Sequence, residues 1–469
     1  MNATELDTFK LAKMLRQRSI ELALLLLVAA QSVCFNVVPG FALQILFGIV
    51  ELAVLYLHLW RVELAPLYIA LALNLVASAQ SLPSWWWLVW LQASLCVVGI
   101  LSAIVFPLPS FPPLSAAHPD VGCQTARLHG LDCRIFYPVT RSSHPFTPYL
   151  HHGQHLAVGL NTFVPHIPAW FFTSLQNGVL SARADAPLQP SPDAAGWPVV
   201  IFSHGLGGAL ELYSSICQYL ASEGMVVVAL NHTDGSAAVY RNPDDLTFEY
   251  YDRPPPSALE DWDGHGYGLR NKQLHVRAAQ IQRVVDAIVG LNNDDRTSVF
   301  YQALDLNRIG AAGHSFGGAS VLTAAKQDSR IRAVVGLDVW MAPLDKLFGG
   351  LNVPVCSIVS QQWVDWKEHH DAMQQFMYKC TDPHTAFLAI EHTRHNNFCD
   401  LALFSPVLNK LFRAAGSIEP TYMLDMTSQL TAGYLRHAFY GNQAFKTMHR
   451  RFPELLVLNA KLKTTTDDE

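Results

Sequence analysis

The chain has 469 residues, half of them hydrophobic and only 15% charged, with a formal net charge of −6. Soluble chains average about 25% charged residues, and a net negative chain without a basic block carries no nucleic-acid footprint. Eight cysteines with no CxxC pair are too few for a disulfide scaffold, and their scatter does not report a redox compartment.

The charge deficit sits in the amino-terminal quarter. Between Glu21 and Asp120 only three charges appear, those of Glu51, Arg61 and Glu63. Residues 1–18 form a basic tail with Lys10, Lys13, Arg16 and Arg18, and residues 19–106 read as four apolar stretches: Ser19 to Val38, Phe41 to Trp60, Val62 to Ser81 and Trp85 to Phe106. Roughly 20 apolar residues cross a bilayer as a helix. The third stretch is the weakest, with Glu63, Pro66, Asn74 and Gln80, whereas the fourth opens on Trp85, Trp86, Trp87 and Trp90, an interfacial aromatic belt. A signal peptide has one short apolar core, so a four-helix transmembrane region is expected. Basic residues stay cytoplasmic. The tail and Arg61 share one side if span two returns, and an even number of spans then leaves the rest of the chain in the cytosol. If the third stretch does not insert, three spans remain and the catalytic region faces the opposite side.

Residues 107–119 are a Pro-rich stiff linker. From 120 to 469 short apolar runs alternate with helical patterns, the signature of an α/β domain with a mostly parallel sheet. Predicted strands are Trp197 to Ser203, Met225 to Leu230, Arg308 to Ala312, Ile331 to Leu337, Val353 to Ser360 and Ala386 to Glu391. Predicted helices are Tyr213 to Glu223, Leu269 to Leu291 and Gly317 to Gln327. Asn231-His232-Thr233 matches a glycosylation pattern, but at a predicted strand end it makes a poor acceptor.

Gly313-His314-Ser315-Phe316-Gly317 matches the G-x-S-x-G nucleophile elbow, in which a serine sits on a strained strand-to-helix turn and small flanking residues avoid collision. The bare pattern is weak; the strand before it and the Ala-rich helix after it are what the elbow demands. The Gly-rich turn Ser203-His204-Gly205-Leu206-Gly207-Gly208 offers a backbone N–H, that of Leu206, to a developing oxyanion, and the N–H of Phe316 is the second donor. Triad order in such chains is Ser, then Asp or Glu, then His. Asp338 is the first acid after Ser315 to end a strand; Asp328 ends a helix and Asp345 lies well into a loop. The histidine belongs after the last strand, where His392 and His395 both stand; His384 precedes that strand. His369 and His370 read as solvated. Adjacent residues do not share a helix face, and tetrahedral ligand spacing is missing, so no metal site is expected.

These stretches, from about Asp120 to Asn409, resemble the platelet-activating factor acetylhydrolases, calcium-independent α/β-hydrolases that cleave short or oxidised sn-2 acyl groups from phospholipids. The similarity runs through Arg134-Ile135-Phe136-Tyr137-Pro138, the oxyanion segment Ile201 to Gly207 with Tyr213-Ser214, Asp234-Gly235-Ser236-Ala237, Leu269-Arg270-Asn271-Lys272-Gln273, the elbow, and Gly336-Leu337-Asp338-Val339-Trp340-Met341. His395 with Asn397-Phe398 and Asp400 looks like the stretch holding the family's histidine, so the resemblance selects His395 over His392. Asn231-His232-Thr233 departs from the family's Glu-His-Arg, and residues 139–190 match only loosely. The resemblance implies an α/β-hydrolase fold, a Ser315–His395–Asp338 triad, no cofactor and a phospholipid substrate at a membrane. Two other readings stand beside it: a broader membrane-bound lipase, carboxylesterase or thioesterase, which uses the same residues, and an inactive hydrolase-like lipid-binding membrane protein.

Overall fold

Fully apolar, β-branched runs such as Val226-Val227-Val228-Ala229-Leu230 form strands only where both faces of a sheet are covered, and such runs make the centre of this molecule. The computed structural model describes residues 61–79, 86–106 and 110–458, with a few isolated positions between 23 and 49. The basic tail and the first two apolar stretches lie outside the described residues.

The chain divides into two units, one of residues 1–110 with 173–177 and 404–411, the other of residues 111–172, 178–403 and 412–469. In the first unit, helix α1 (Ala65–Ala79), entered through a short 3-10 turn at Val62–Leu64, pairs with helix α2 (Trp86–Val105). Leu67, Ala70 and Leu71 pack with Cys96, beside Tyr68, Leu95, Ile100 and Ala103. Arg61 donates through Nη1 to the Phe106 carbonyl at 2.9 Å, so the start of α1 and the end of α2 meet and the two helices run antiparallel. Pro66 is the second residue of α1, where its missing N–H has no intrahelical acceptor to lose; it does not break the helix. The Ser405 hydroxyl donates to the buried Glu63 carboxylate. Among the described residues one helix, Trp87–Val105 with mean hydropathy 2.3, is long and apolar enough to cross a membrane.

The second unit contains strands β1 (Val121–Leu128), β2 (Leu131–Pro138), β3 (Phe146–Pro148), helix α3 (Gly153–Phe163), and strands β4 (Val179–Ala184) and β5 (Trp197–Ser203). It continues with helix α4 (Ser214–Ser222), strands β6 (Val226–Leu230), β7 (Val239–Arg241) and β8 (Phe248–Tyr250), helix α5 (Tyr267–Asn293) and strand β9 (Leu304–His314). Helix α6 (Phe316–Gln327), strands β10 (Ile331–Leu337) and β11 (Val355–Ser360), helix α7 (Lys367–Lys379), strand β12 (Ala386–Ile390), helix α8 (Pro420–Tyr440) and strand β13 (Leu455–Val457) complete it. Eleven strands form one sheet in the order β13-β12-β11-β10-β9-β5-β6-β2-β1-β4-β3, and β7 and β8 form a separate hairpin. The six neighbours from β12 to β6 are parallel; antiparallel pairings join β13 at one edge, and β2 to β6 and β1 to β2 at the other. Residues 139–190, which resemble the family only loosely, add the edge strands β3 and β4 and helix α3.

Alternation along the strands divides the core. Val199, Ile201, Val226 and Val228 share a cluster with Leu274, Ile281 and Val285 of α5 and Val321 and Leu322 of α6. Val200, Phe202 and Val227 point the other way and are equally buried. Each such side chain contributes about 1.5–3 kcal/mol on burial. Register brings Ser203, Gly313 and Gly336 level, since Gly313 pairs with Ser203 on one side and with Gly336 on the other. The carboxyl ends of β5, β9 and β10 therefore open onto one spot.

Candidate active site

Ser315 stands between the last residue of β9 and the first of α6 with φ 58° and ψ −119°. A non-glycine residue there costs of order 1–3 kcal/mol. The surrounding backbone imposes it: the Ser315 N–H donates to the Leu337 carbonyl at 2.8 Å, and the Ser315 carbonyl accepts from Trp340 N–H at 3.0 Å. The flanking glycines are required sterically. A Cβ on Gly313 would lie 2.4 Å from the Gly317 carbonyl oxygen, and one on Gly317 would lie 2.1 Å from the Ser203 carbonyl oxygen. Both obstacles are backbone and cannot swing away.

On one side of Ser315 lie Asp338 and His395. Asp338, at the end of β10, is fully buried. Its carboxylate accepts from the Ser360 N–H at 2.6 Å, the Ser360 hydroxyl at 2.7 Å and His395 Nδ1 at 3.1 Å. Because the carboxylate only accepts, the His395 proton is assigned to Nδ1, leaving Nε2 as a free base. The His395 ring stacks on Trp363, centroids 4.0 Å apart and planes 5° from parallel, and Trp363 is tied by its Nε1 to the Val339 carbonyl at 3.1 Å. No hydrogen bond joins the Ser315 hydroxyl to His395 among the described residues; such contacts are often long before substrate binds.

The rival residues stand elsewhere. Asp328 pairs with Arg330, and Asp345 accepts from Asn271 and His275. His392 is exposed in a left-handed turn at φ 62°, and His384 bonds His437 at 2.9 Å. His369 is not solvated as its polar surroundings implied. It is buried on the inner face of α7, and its Nε2 accepts the Met341 N–H at 3.0 Å, bracing the loop that follows Asp338. Burial first, then the charges of His395 and His370, push its pKa down to about 4. His370 is half-buried, its ring stacked on Phe387. Ser360, Trp363 and His369 carry no local signal that sequence reading could use.

On the other side of Ser315 lies the turn after β5. Gly208 N–H closes it onto the Gly205 carbonyl at 3.1 Å, with Gly207 at φ 63°, the position of a type II turn that favours glycine. Gly205 has its Cβ position 3.3 Å from the Ser315 Cβ. The Leu206 N–H is not consumed by the turn. Phe316 is the first residue of α6, where an N–H has no intrahelical acceptor. Behind the turn, buried Arg277 donates to the His204 carbonyl at 2.7 Å and the Ser236 hydroxyl at 2.8 Å, pairs with buried Asp234 at 3.3 Å, and lies 4.5 Å from the Phe316 ring centroid. Where the family has a charged pair, Asn231 is buried with both amide ends used, accepting from Leu210 N–H at 2.8 Å and donating to the Val239 carbonyl at 3.2 Å.

His314, Asp338 and His395 each offer one donor atom within 4.8 Å of the others, the single group of metal-ligand type among the described residues. It contains Asp338 and His395 together with the residue before Ser315.

Comparison with known proteins defines the class and then the family. In fold, 74% of the chain overlays 98% of a ferulic acid esterase from Streptomyces cinnamoneus, with a TM-score of 0.58 at 20% identity. The model of the family "platelet-activating factor acetylhydrolase, isoform II" matches residues 107–450, and the chain belongs to that family. Curated relatives include the platelet-activating factor acetylhydrolase of Canis lupus familiaris, 26% identical over 66% of this chain and 71% of its own length. That of Gallus gallus is 26% identical over 62% and 73%. A probable 1-alkyl-2-acetylglycerophosphocholine esterase of Arthroderma benhamiae is 29% identical over 44% and 50%.

Proposed function

We propose that the chain is a membrane-anchored serine esterase that hydrolyses short or oxidised sn-2 acyl esters of phospholipids. The observation that carries this is the fixed contact of His395 with buried Asp338 beside a serine held at positive φ. His395 Nε2 takes the Ser315 proton as Oγ attacks the ester carbonyl, and Asp338 holds the imidazole in the required tautomer. The Leu206 and Phe316 N–H groups receive the negative charge that develops on the carbonyl oxygen; one such donor contributes ~10²–10³ in rate. His395 then protonates the departing lysophospholipid oxygen, and water, activated by the same imidazole, releases the acid. The names of the relatives support the substrate class. Ser315→Ala is expected to lower kcat by ~10⁶ while the protein stays folded, and a fluorophosphonate is expected to label the wild type only. Near-normal turnover by the variant would end the assignment.

The membrane anchor rests on the apolar stretches and on the length and hydropathy of Trp87–Val105, with Trp90, Val97, Val98, Leu101, Ile104 and Val105 exposed along α2. The tie between Arg61 and the end of α2 suits a hairpin whose two ends share the cytosolic side, and so a cytosolic catalytic domain. Protease digestion of that domain from the cytosolic face of sealed microsomes is the expected result. Full protection would mean an odd number of spans.

A further inference from the structure

His314 precedes Ser315 directly, and its ring lies 4.3 Å from that of His395. Two imidazoles thus stand beside one hydroxyl, and the mechanism uses one. Hydrogen-bond directions explain the choice. The Gly205 N–H can only donate, and it donates to the Tyr213 hydroxyl oxygen at 3.1 Å. Tyr213 has one proton of its own, directed at His314 Nδ1 2.9 Å away. Nδ1 is therefore an acceptor, and in a neutral imidazole the ring proton then sits on Nε2. The ring is buried, and burial disfavours its charged form. His314 Nε2 is itself buried and has no hydrogen-bond partner among the described residues.

We propose that Tyr213 is a positioning residue that locks His314 in its Nε2–H tautomer, leaving His395 the single base beside Ser315 and closing the His314–Asp338–His395 cluster to zinc. The proposal rests on the triad reading above. In the opposite tautomer a bare Nε2 would lie beside the His395 ring. It would compete for the hydrogen bond that His395 needs with Ser315, and it would complete a three-donor set. One donor atom from each residue lies within 4.8 Å of the other two, and Zn–N bonds of roughly 2.0–2.1 Å would draw them to about 3.3–3.4 Å, so zinc would have to pull the three groups together. A protonated nitrogen cannot ligate, so one phenol proton separates a general-base site from an inhibitory metal trap. Tyr213 is suited to this because its own buried proton has no acceptor other than His314 Nδ1 among the described residues, so the reverse direction would leave that O–H unpaired.

The test uses the full-length chain with Tyr213→Phe and His314→Gln, singly and together, assayed against ZnCl2 in a non-chelating buffer. Without zinc, Tyr213→Phe is expected to lower kcat about five- to tenfold with KM little changed, the scale of one lost hydrogen bond. With zinc, it is expected to be inhibited at concentrations about tenfold or more below those that affect the wild type, as expected when a third ligand is added to a site. Adding His314→Gln is expected to remove that extra sensitivity. Equal zinc sensitivity of Tyr213→Phe and wild type, or sensitivity that survives loss of His314, overturns the proposal. If Tyr213→Phe does not fold, imidazole nitrogen-15 shifts of the wild type decide. The His314 signals, identified by their loss in His314→Gln, must report a protonated Nε2; a protonated Nδ1 overturns the lock. Failure of the triad reading itself has a different signature, in which fluorophosphonate leaves Ser315 unlabelled in the wild type.

Discussion

The two sides of Ser315 are built from different materials. The proposed oxyanion side is backbone: a glycine turn and the first N–H of α6, backed by the buried Arg277–Asp234 pair. The proposed acid–base side is side chains: Asp338 gripped by Ser360, and His395 laid flat on Trp363. Backbone donors need no rotamer to be chosen, so that side depends on what lies behind it. Side-chain donors must each be aimed, so the other side depends on neighbours that fix their angles.

The largest effect expected from breaking the contrast is on the aimed side. His395→Ala should lose nearly as much turnover as Ser315→Ala, ~10⁶ in kcat, whereas His392→Ala should stay within a few-fold, because His392 is exposed in a left-handed turn. Steady-state kinetics of both variants check this, and the reverse pattern would move the base by three residues.

The backbone side should instead fail through stability. Arg277→Met leaves Asp234 buried without its partner, a change of about 3–5 kcal/mol for a broken buried pair. The double variant Arg277→Met/Asp234→Asn should recover part of that loss. Denaturant unfolding measures both, and full additivity of the two substitutions would show that the pair is not coupled.

A smaller effect sharpens the comparison. Ser360→Ala removes the hydroxyl bond to Asp338 but keeps the Ser360 N–H bond. A loss of about tenfold in kcat, the scale of one hydrogen bond to a charged group, with KM unchanged is expected, and a change in KM alone would contradict a role in aiming His395.

The smallest is a pH effect on the loop that carries His395. Asp400 is buried and accepts the Ser215 N–H at the start of α4 with both oxygens at 3.3 Å. Burial outweighs those hydrogen bonds and pushes its pKa up from 3.8 to about 7. The folded state therefore binds more protons than the unfolded state between those values. Its contribution to stability is largest below about pH 4, declines as pH rises towards 7, and is level above, with a slope of at most about 1.4 kcal/mol per pH unit. Asp400→Asn should flatten that slope in unfolding measurements between pH 5 and 8, and an unchanged slope would assign the titration to another group.

Much of this organisation was legible along the chain. The elbow could be read because its constraint is local: Gly313, Ser315 and Gly317 lie within five residues, and the backbone atoms that forbid larger side chains are set by the turn itself. Strands β5, β6, β10 and β12 were legible because parallel central strands are apolar on both faces, and their ends supplied candidates for the Ser, Asp, His order that serine triads after such an elbow follow. Position alone could not choose between His392 and His395, nor detect that His369 is buried, that Ser360 bonds Asp338 while Trp363 stacks on His395, or that Tyr213 reaches His314 across 101 residues. Those facts are distances between side chains on different strands and helices. They come into being only when the carboxyl ends of β5, β9 and β10 are brought level in one sheet, because hydrogen bonds and ring contacts act over a few ångströms of space, however many residues separate their partners along the chain.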